Sequence, residues 1–212
     1  MHKLKIPQVI NKLLIIIITA SILGLVVAYP SPSLILTGII SFLIIISVNV
    51  LVKEILAYYY EANLNLKFWA WYQYWFRKDS HFKKPIPMLW LPLLLIFLTK
   101  GLLIWLSILE FDVSPKTERA AKRHGLYRFT EITDWHLTCL ATAGIIANLV
   151  LAIIGYIAGF EFFARLNIYF AFWSIIPIGN LDGSKILFGS RLIWIIMLII
   201  TGLFLSWSLV II

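Results

Sequence analysis

The sequence predicts an all-α, multi-pass membrane protein, and three observations carry that expectation. Hydrophobic residues make up 61% of the 212 and charged residues only 13%, whereas an ordinary soluble domain is nearer to half apolar. Five apolar stretches reach or approach the ~20 residues that a helix needs to cross the hydrocarbon. The basic residues, which give a net charge of +8, gather in short segments between those stretches, where they orient a chain in a bilayer. The lipid bilayer, and no nucleic acid, is therefore the expected partner. Cys139 is the single cysteine, so no disulfide framework within the chain is expected.

The first stretch, Leu13 to Tyr29, follows Lys3, Lys5 and Lys12. A cleavable signal peptide has this layout, but Pro30 and Pro32 lead straight into a second stretch, Leu34 to Ala57. The expectation is an uncleaved hairpin of two spans with its N-terminus in the cytoplasm. Three more spans are expected at Leu137 to Gly159, Phe162 to Ile178 and Leu192 to Ile212.

A further apolar block, Ile86 to Leu109, carries Pro87, Pro92 and a central Lys100-Gly101. Its flanks are equally basic, with Lys67, Arg77, Lys78, Lys83 and Lys84 before it and Lys116, Arg119, Lys122, Arg123 and Arg128 after it. A crossing would put one flank outside against the positive-inside rule. The block is therefore expected as a re-entrant or interfacial hairpin, whose irregular backbone must be covered by protein or water. Just before it, NLNLKFWAWYQYWF (63 to 76) alternates Leu64, Leu66, Phe68 and Ala70 with Asn65, Lys67 and Trp69. Alternation is a strand signal; a belt of interfacial aromatics is the other reading.

Ionisable residues at membrane depth are costly and usually face a partner or a water-filled cavity. Lys53, Glu54, Lys100 and Asp182 are the candidates. Asp182 follows the helix breakers Pro177, Gly179 and Asn180 and precedes Gly183, so it is placed either to do chemistry or to cap the next helix.

The run FAFWSIIPIGNLDGSKIL resembles the segment of site-2 proteases, the intramembrane zinc metallopeptidases, that reads approximately N-x-x-P-x-x-x-L-D-G. ATAGIIANLVLA (141 to 152) resembles that family's A-G-P-x-x-N helix, with Ala143, Gly144 and Asn148 matching and Ile145 in place of the Pro. The resemblance covers about Leu34 to Leu187. It implies a site-2-protease-like core with Asp182 as a metal ligand, Glu54 as the catalytic acid–base, and a cleft bordered by Asn148, Ser174, Pro177, Asn180 and Gly183. The family's H-E-x-x-H, which grips zinc with two histidines on one helical face, reads K-E-I-L-A here. Lys53 and Ala57 stand at the two ligand positions, and Ser174 stands for the family's Asn.

The expectation is a pseudoprotease without cofactor, one that binds or scaffolds transmembrane segments of other proteins rather than cutting them. In it the Lys53 ammonium takes the metal's place and pairs with Asp182, Glu54 or both; alternatively Lys53 snorkels to the interface. Two other functions stay open. One is an active metalloprotease with an atypical zinc site from Asp182, His136 and Cys139, the last two of which share a helical face. The other is a small transporter or channel using Lys53, Lys100 and Asp182. His124, in a basic loop, is read as solvated.

Overall fold

The computed structural model describes residues 6–29, 31–73, 81–116 and 132–211. His124 and the basic residues Arg77, Lys78, Arg119, Lys122, Arg123 and Arg128 lie outside them. The helices are α1 (Ile6–Val27), α2 (Ile35–Tyr59), α3 (Leu91–Leu98), α4 (Asp134–Ile157), α5 (Glu161–Ile175), α6 (Asp182–Gly189) and α7 (Arg191–Val210). Four of them, α1, α2, α4 and α7, are long and apolar enough to cross a bilayer. Helices are what these apolar runs must form, because hydrocarbon offers no partner to a bare peptide group. Some of their hydroxyls turn back on their own backbone, as Thr19 does to the Ile15 carbonyl (2.7 Å) and Thr201 to that of Met197 (2.8 Å).

The expected span at Phe162 to Ile178 is shorter than the sequence suggested. Helix α5 has 15 residues, roughly 22 Å at 1.5 Å per residue, because Ile176 is extended (ψ 126°) as the residue before Pro177 must be. The all-α expectation also needs correction. Strands β1 (Ala62–Phe68) and β4 (Leu109–Pro115) form one antiparallel pair, and β2 (Ala70–Gln73) and β3 (His81–Pro87) another. The alternation that begins at residue 63 is a strand signal as far as residue 73, with 74 to 76 outside the described residues: Ala62, Leu64 and Leu66 are buried while Asn63 and Lys67 are exposed.

The apolar block from Ile86 to Leu109 is a hairpin. It rises through α3, whose second residue is Pro92, turns at Lys100 (φ 51°) and Gly101 (φ 89°) beside Tyr29, and returns without regular secondary structure to β4. Both ends are held by one residue: Met88 N–H donates to the Trp69 carbonyl (3.0 Å) and Trp69 N–H to that of Ile108 (2.9 Å). The returning arm is non-helical, but Trp105, Leu106, Ser107 and Ile108 are all buried, as irregular backbone at membrane depth requires. Stacked Trp69 and Trp105 rings (5.7 Å between centroids) and Trp173 against Trp105 (4.6 Å) pack this arm onto the body.

Helix α2 is the hub, packed on α1, α4 and α5 and continuing into β1. Its buried face runs Ile46, Asn49, Val50, Lys53, Ala57, the i, i+3/i+4 stripe of one helical side. Opposite it α4 offers Ala141, Gly144, Asn148 and Ala152, small or polar residues that let two apolar helices approach closely.

Because both ends of the hairpin meet on Trp69, its flanks emerge on one side of any bilayer the helices span. In a Cys139→Ala background, Lys83→Cys and Lys116→Cys should react with an impermeant thiol reagent from the same side; labelling from opposite sides overturns the re-entrant reading.

Candidate functional site

Lys53 and Asp182 are 129 residues apart and meet. The Lys53 ammonium donates to Asp182 Oδ2 at 2.5 Å, with side chains only 4% and 8% exposed. Each is delivered by local structure. Lys53 lies on the buried stripe of α2, two turns before the helix ends. Asp182 is the first residue of α6, where a carboxylate also complements the positive helix end. The α5–α6 turn that aims it contains Pro177, which is exposed, and depends on Gly183: any Cβ at 183 would run into the Ile175 carbonyl. Across the pair, a methyl group at Gly144 of α4 would lie 2.5 Å from Cε of Lys53. The glycine leaves the lane through which the lysine stem reaches Asp182.

The pair is part of a larger buried charge cluster that the sequence reading missed. Glu110 (2% exposed) and Lys185 (9% exposed) join it. Glu110 accepts a hydrogen bond from the Asn180 amide, and Lys185 donates to the carbonyls of Phe111 (2.5 Å) and Asn180 (3.0 Å). Both ammoniums lie against the Phe111 ring, Lys185 at 3.9 Å and Lys53 at 4.6 Å from its centroid, a cation–π arrangement. Burial pushes the Lys185 ammonium down to about 8, partly opposed by Asp182 and Glu110. Burial likewise raises the Glu110 carboxyl above the usual range, against the pull of Asn180 and Lys185. Asn49, Lys53, Ser107, Glu110, Ser174 and Asp182 line a cavity of about 10 Å³, room for about one water. Ser174 spends its hydroxyl proton on the Phe170 carbonyl (2.8 Å).

The other expected site residues go elsewhere. Glu54, one residue past Lys53, points to a different side of α2 and pairs with Lys12 of α1 at 2.6 Å, 44% exposed. It therefore takes no part in the Asp182 pair, contrary to the wider ion-pair expectation. His136 caps α4: its Nδ1 accepts from Thr133 N–H (3.3 Å), while its ring meets Tyr60 edge-on. Cys139 is half-buried beside Tyr60. Asn148 is fully buried, one turn beyond Gly144, its amide making no hydrogen bond among the described residues. Lys100 is exposed on the hairpin turn, away from this cluster.

A zinc centre needs three protein ligands and an open position, and these side chains do not fit one. No three His, Cys, Asp or Glu side chains converge among the described residues, and the Asp182 carboxylate faces an ammonium.

Alongside the cluster runs an open cleft of about 540 Å³ between β4, α6 and the start of α4, bordered by Lys67, Phe111, Val113, Asn180, Lys185 and Phe188 among others. The ladder hydrogen bonds show which backbone groups face it. Ile108 and Lys116 bond toward β1 through Trp69 and Glu61. Backbone groups alternate along a strand, so the even-numbered residues of β4 face β1. Phe111 and Val113 face the cleft, as the Lys185 bond to the Phe111 carbonyl requires. The strand edge that borders this cleft is therefore that of β4; β1 and β2, within the aromatic segment, pair on one side with β4 and β3.

Removing one partner of a buried ion pair costs ~3–5 kcal/mol, whereas an apolar replacement of both is often neutral. Lys53→Met or Asp182→Leu alone should lower the melting temperature in detergent sharply, and the double variant should recover most of the loss. Equal losses that add in the double variant would show that the pair is not coupled. Lys185 predicts a pH effect of definite sign. Its folded value lies below the ordinary 10.5, so between about pH 8 and 10.5 the unfolded chain binds more protons there and stability rises with pH. Lys185→Met should flatten that part of a melting-temperature profile. No family model, curated protein or solved structure matches this chain, so a functional reading rests on this geometry.

Proposed function

We propose that this chain is an integral membrane protein that holds extended segments of other membrane proteins without cutting them, on a scaffold like that of the site-2 proteases. The buried Lys53–Asp182 pair carries the reading. In the likeness drawn above, Asp182 is a metal ligand and position 53 the first histidine of H-E-x-x-H; here a fixed cation on position 53 neutralises the same carboxylate. A charge-balanced pair keeps α2 and α6 in register but provides no Lewis acid and activates no water. Glu54, the remnant of the catalytic acid–base, is engaged with Lys12 on another side of the helix. The proteolytic alternative therefore lacks the two histidines of that motif, and its expected base, Glu54, is turned away from Asp182.

The cleft supports a binding role. An exposed strand edge offers main-chain donors and acceptors to an incoming extended chain, which gives affinity with little demand on sequence. Val113 presents both groups of that edge and has no backbone partner among the described residues. The apolar helices around it would bring the edge within reach of chains emerging from the same bilayer.

A photo-crosslinking residue at Ser114, in native membranes, tests this reading. It should capture intact membrane proteins, and Val113→Pro, which removes only the outward N–H, should suppress capture severalfold. Capture of cleaved chains, or capture that the proline leaves unchanged, overturns it.

A further inference from the structure

The cleft narrows toward one end, and an ammonium, that of Lys185, stands at that end. Exposure falls along β4 from Pro115 and Ser114, both exposed, through half-buried Val113 to Phe111 at 1% and Glu110 at 2%. At the level of Phe111 the side chain of Lys185 crosses the edge. Its ammonium caps the Phe111 carbonyl at 2.5 Å and also bonds the Asn180 carbonyl at 3.0 Å. A strand laid on this edge from the open end can bond Val113 but loses its next acceptor at Phe111, whose carbonyl is taken by Lys185 of α6. Its pairing stops at Lys185.

The charge decides which end of a chain stops there. An ammonium offers three N–H groups, two of which are used by carbonyls. Lys185 is in none of the described ion pairs, which join Lys12 to Glu54, Lys53 to Asp182 and Lys67 to Asp112. Asp182, Glu110 and Asp112 lie near enough to be felt, with Lys53 opposing them, but Asp182 pairs with Lys53 at 2.5 Å, Asp112 with Lys67 at 2.5 Å, and Glu110, whose Oε1 takes the Asn180 amide and whose Oε2 is buried without a hydrogen bond, is in no described ion pair with Lys185. A chain amino terminus would press a second cation against Lys185. A chain carboxylate would give it the charge-assisted partner that it lacks. Direction agrees: a chain whose carboxyl end lies at Phe111 runs opposite to β4, so it pairs antiparallel, the geometry in which one partner residue exchanges both hydrogen bonds with Val113.

We infer that the cleft between β4 and α6 is a receptor for the free carboxyl terminus of another protein, with the tail added antiparallel to β4 and its terminal carboxylate on Lys185. This rests on the reading that the cleft holds extended segments and narrows the partner to chain ends. From Pro115 to Phe111 the edge spans four residue steps, roughly 13 Å, so about four tail residues are gripped. The rim beside them is polar, formed by Asn65, the Lys67–Asp112 pair and Ser114.

The test uses the purified full chain in nanodiscs and a pool of eight-residue peptides degenerate at every position, made once with free carboxyl ends and once as amides. The free-acid pool should be retained roughly tenfold better, the worth of one charge-assisted hydrogen bond. Lys185→Met should bring it to the level of the amide, while Lys185→Arg, which keeps the charge, should hold a preference for the acid. Val113→Pro should abolish retention of both. If acid and amide bind equally and both need Val113, the end-capture inference fails while strand binding stands. If Val113→Pro changes nothing, or neither pool is retained, the strand-binding reading falls and this inference falls with it.

Discussion

The arrangement depends on a neutralised carboxylate. Asp182 opens α6 in a place where it is 6% exposed, and a lone carboxylate there would be prohibitively costly. Lys53 meets that cost from α2, 129 positions earlier in the chain, and most of the surrounding design can be read as making the meeting possible. Gly144 clears the path of the lysine stem, Gly183 allows α6 to begin hard against the end of α5, and the short α5 brings the turn with Pro177 to the right depth. Compared with an apolar pair, such a contact adds little net stability. Its contribution is specificity: only one rotation of α2 and one register of α6 let the two charges meet.

Much of this was legible in the sequence, for physical reasons that can be named. Long apolar runs have one solution in hydrocarbon, so α1, α2, α4 and α7 could be read from composition and length. The equal basic flanks of the 86 to 109 block pointed to a hairpin, and the structure closes that hairpin on Trp69. The Lys53–Asp182 contact was legible because two opposite charges in apolar surroundings have few other ways to be satisfied. Glu54 was misread because adjacency in sequence is not adjacency in space: on a helix, consecutive residues diverge by about 100°, so Glu54 faces Lys12 while Lys53 faces the interior.

What the sequence hid follows the same logic. Glu110 and Lys185 look like ordinary loop charges at the ends of apolar stretches. Their burial depends on β4 folding back beside α6, a long-range pairing that no local pattern announces. A signal was present, since Lys185 is three residues from Asp182 and thus shares its helical face. The alternation of 63 to 76 indicated a strand but not its partner, because register is set by the whole hairpin between the strands.

Trp69 gives that hairpin a property of its own. By tying residue 88 and residue 108 to the backbone of one residue, it seals the excursion at its base, so the cost of closing the loop is met locally and grows only slowly with loop length. The tip around Lys100 is thereby decoupled from the alignment of β1 with β4. Residues can be gained or lost at that tip without sliding the two strands past each other, leaving a segment free to vary in length beside a centre that cannot.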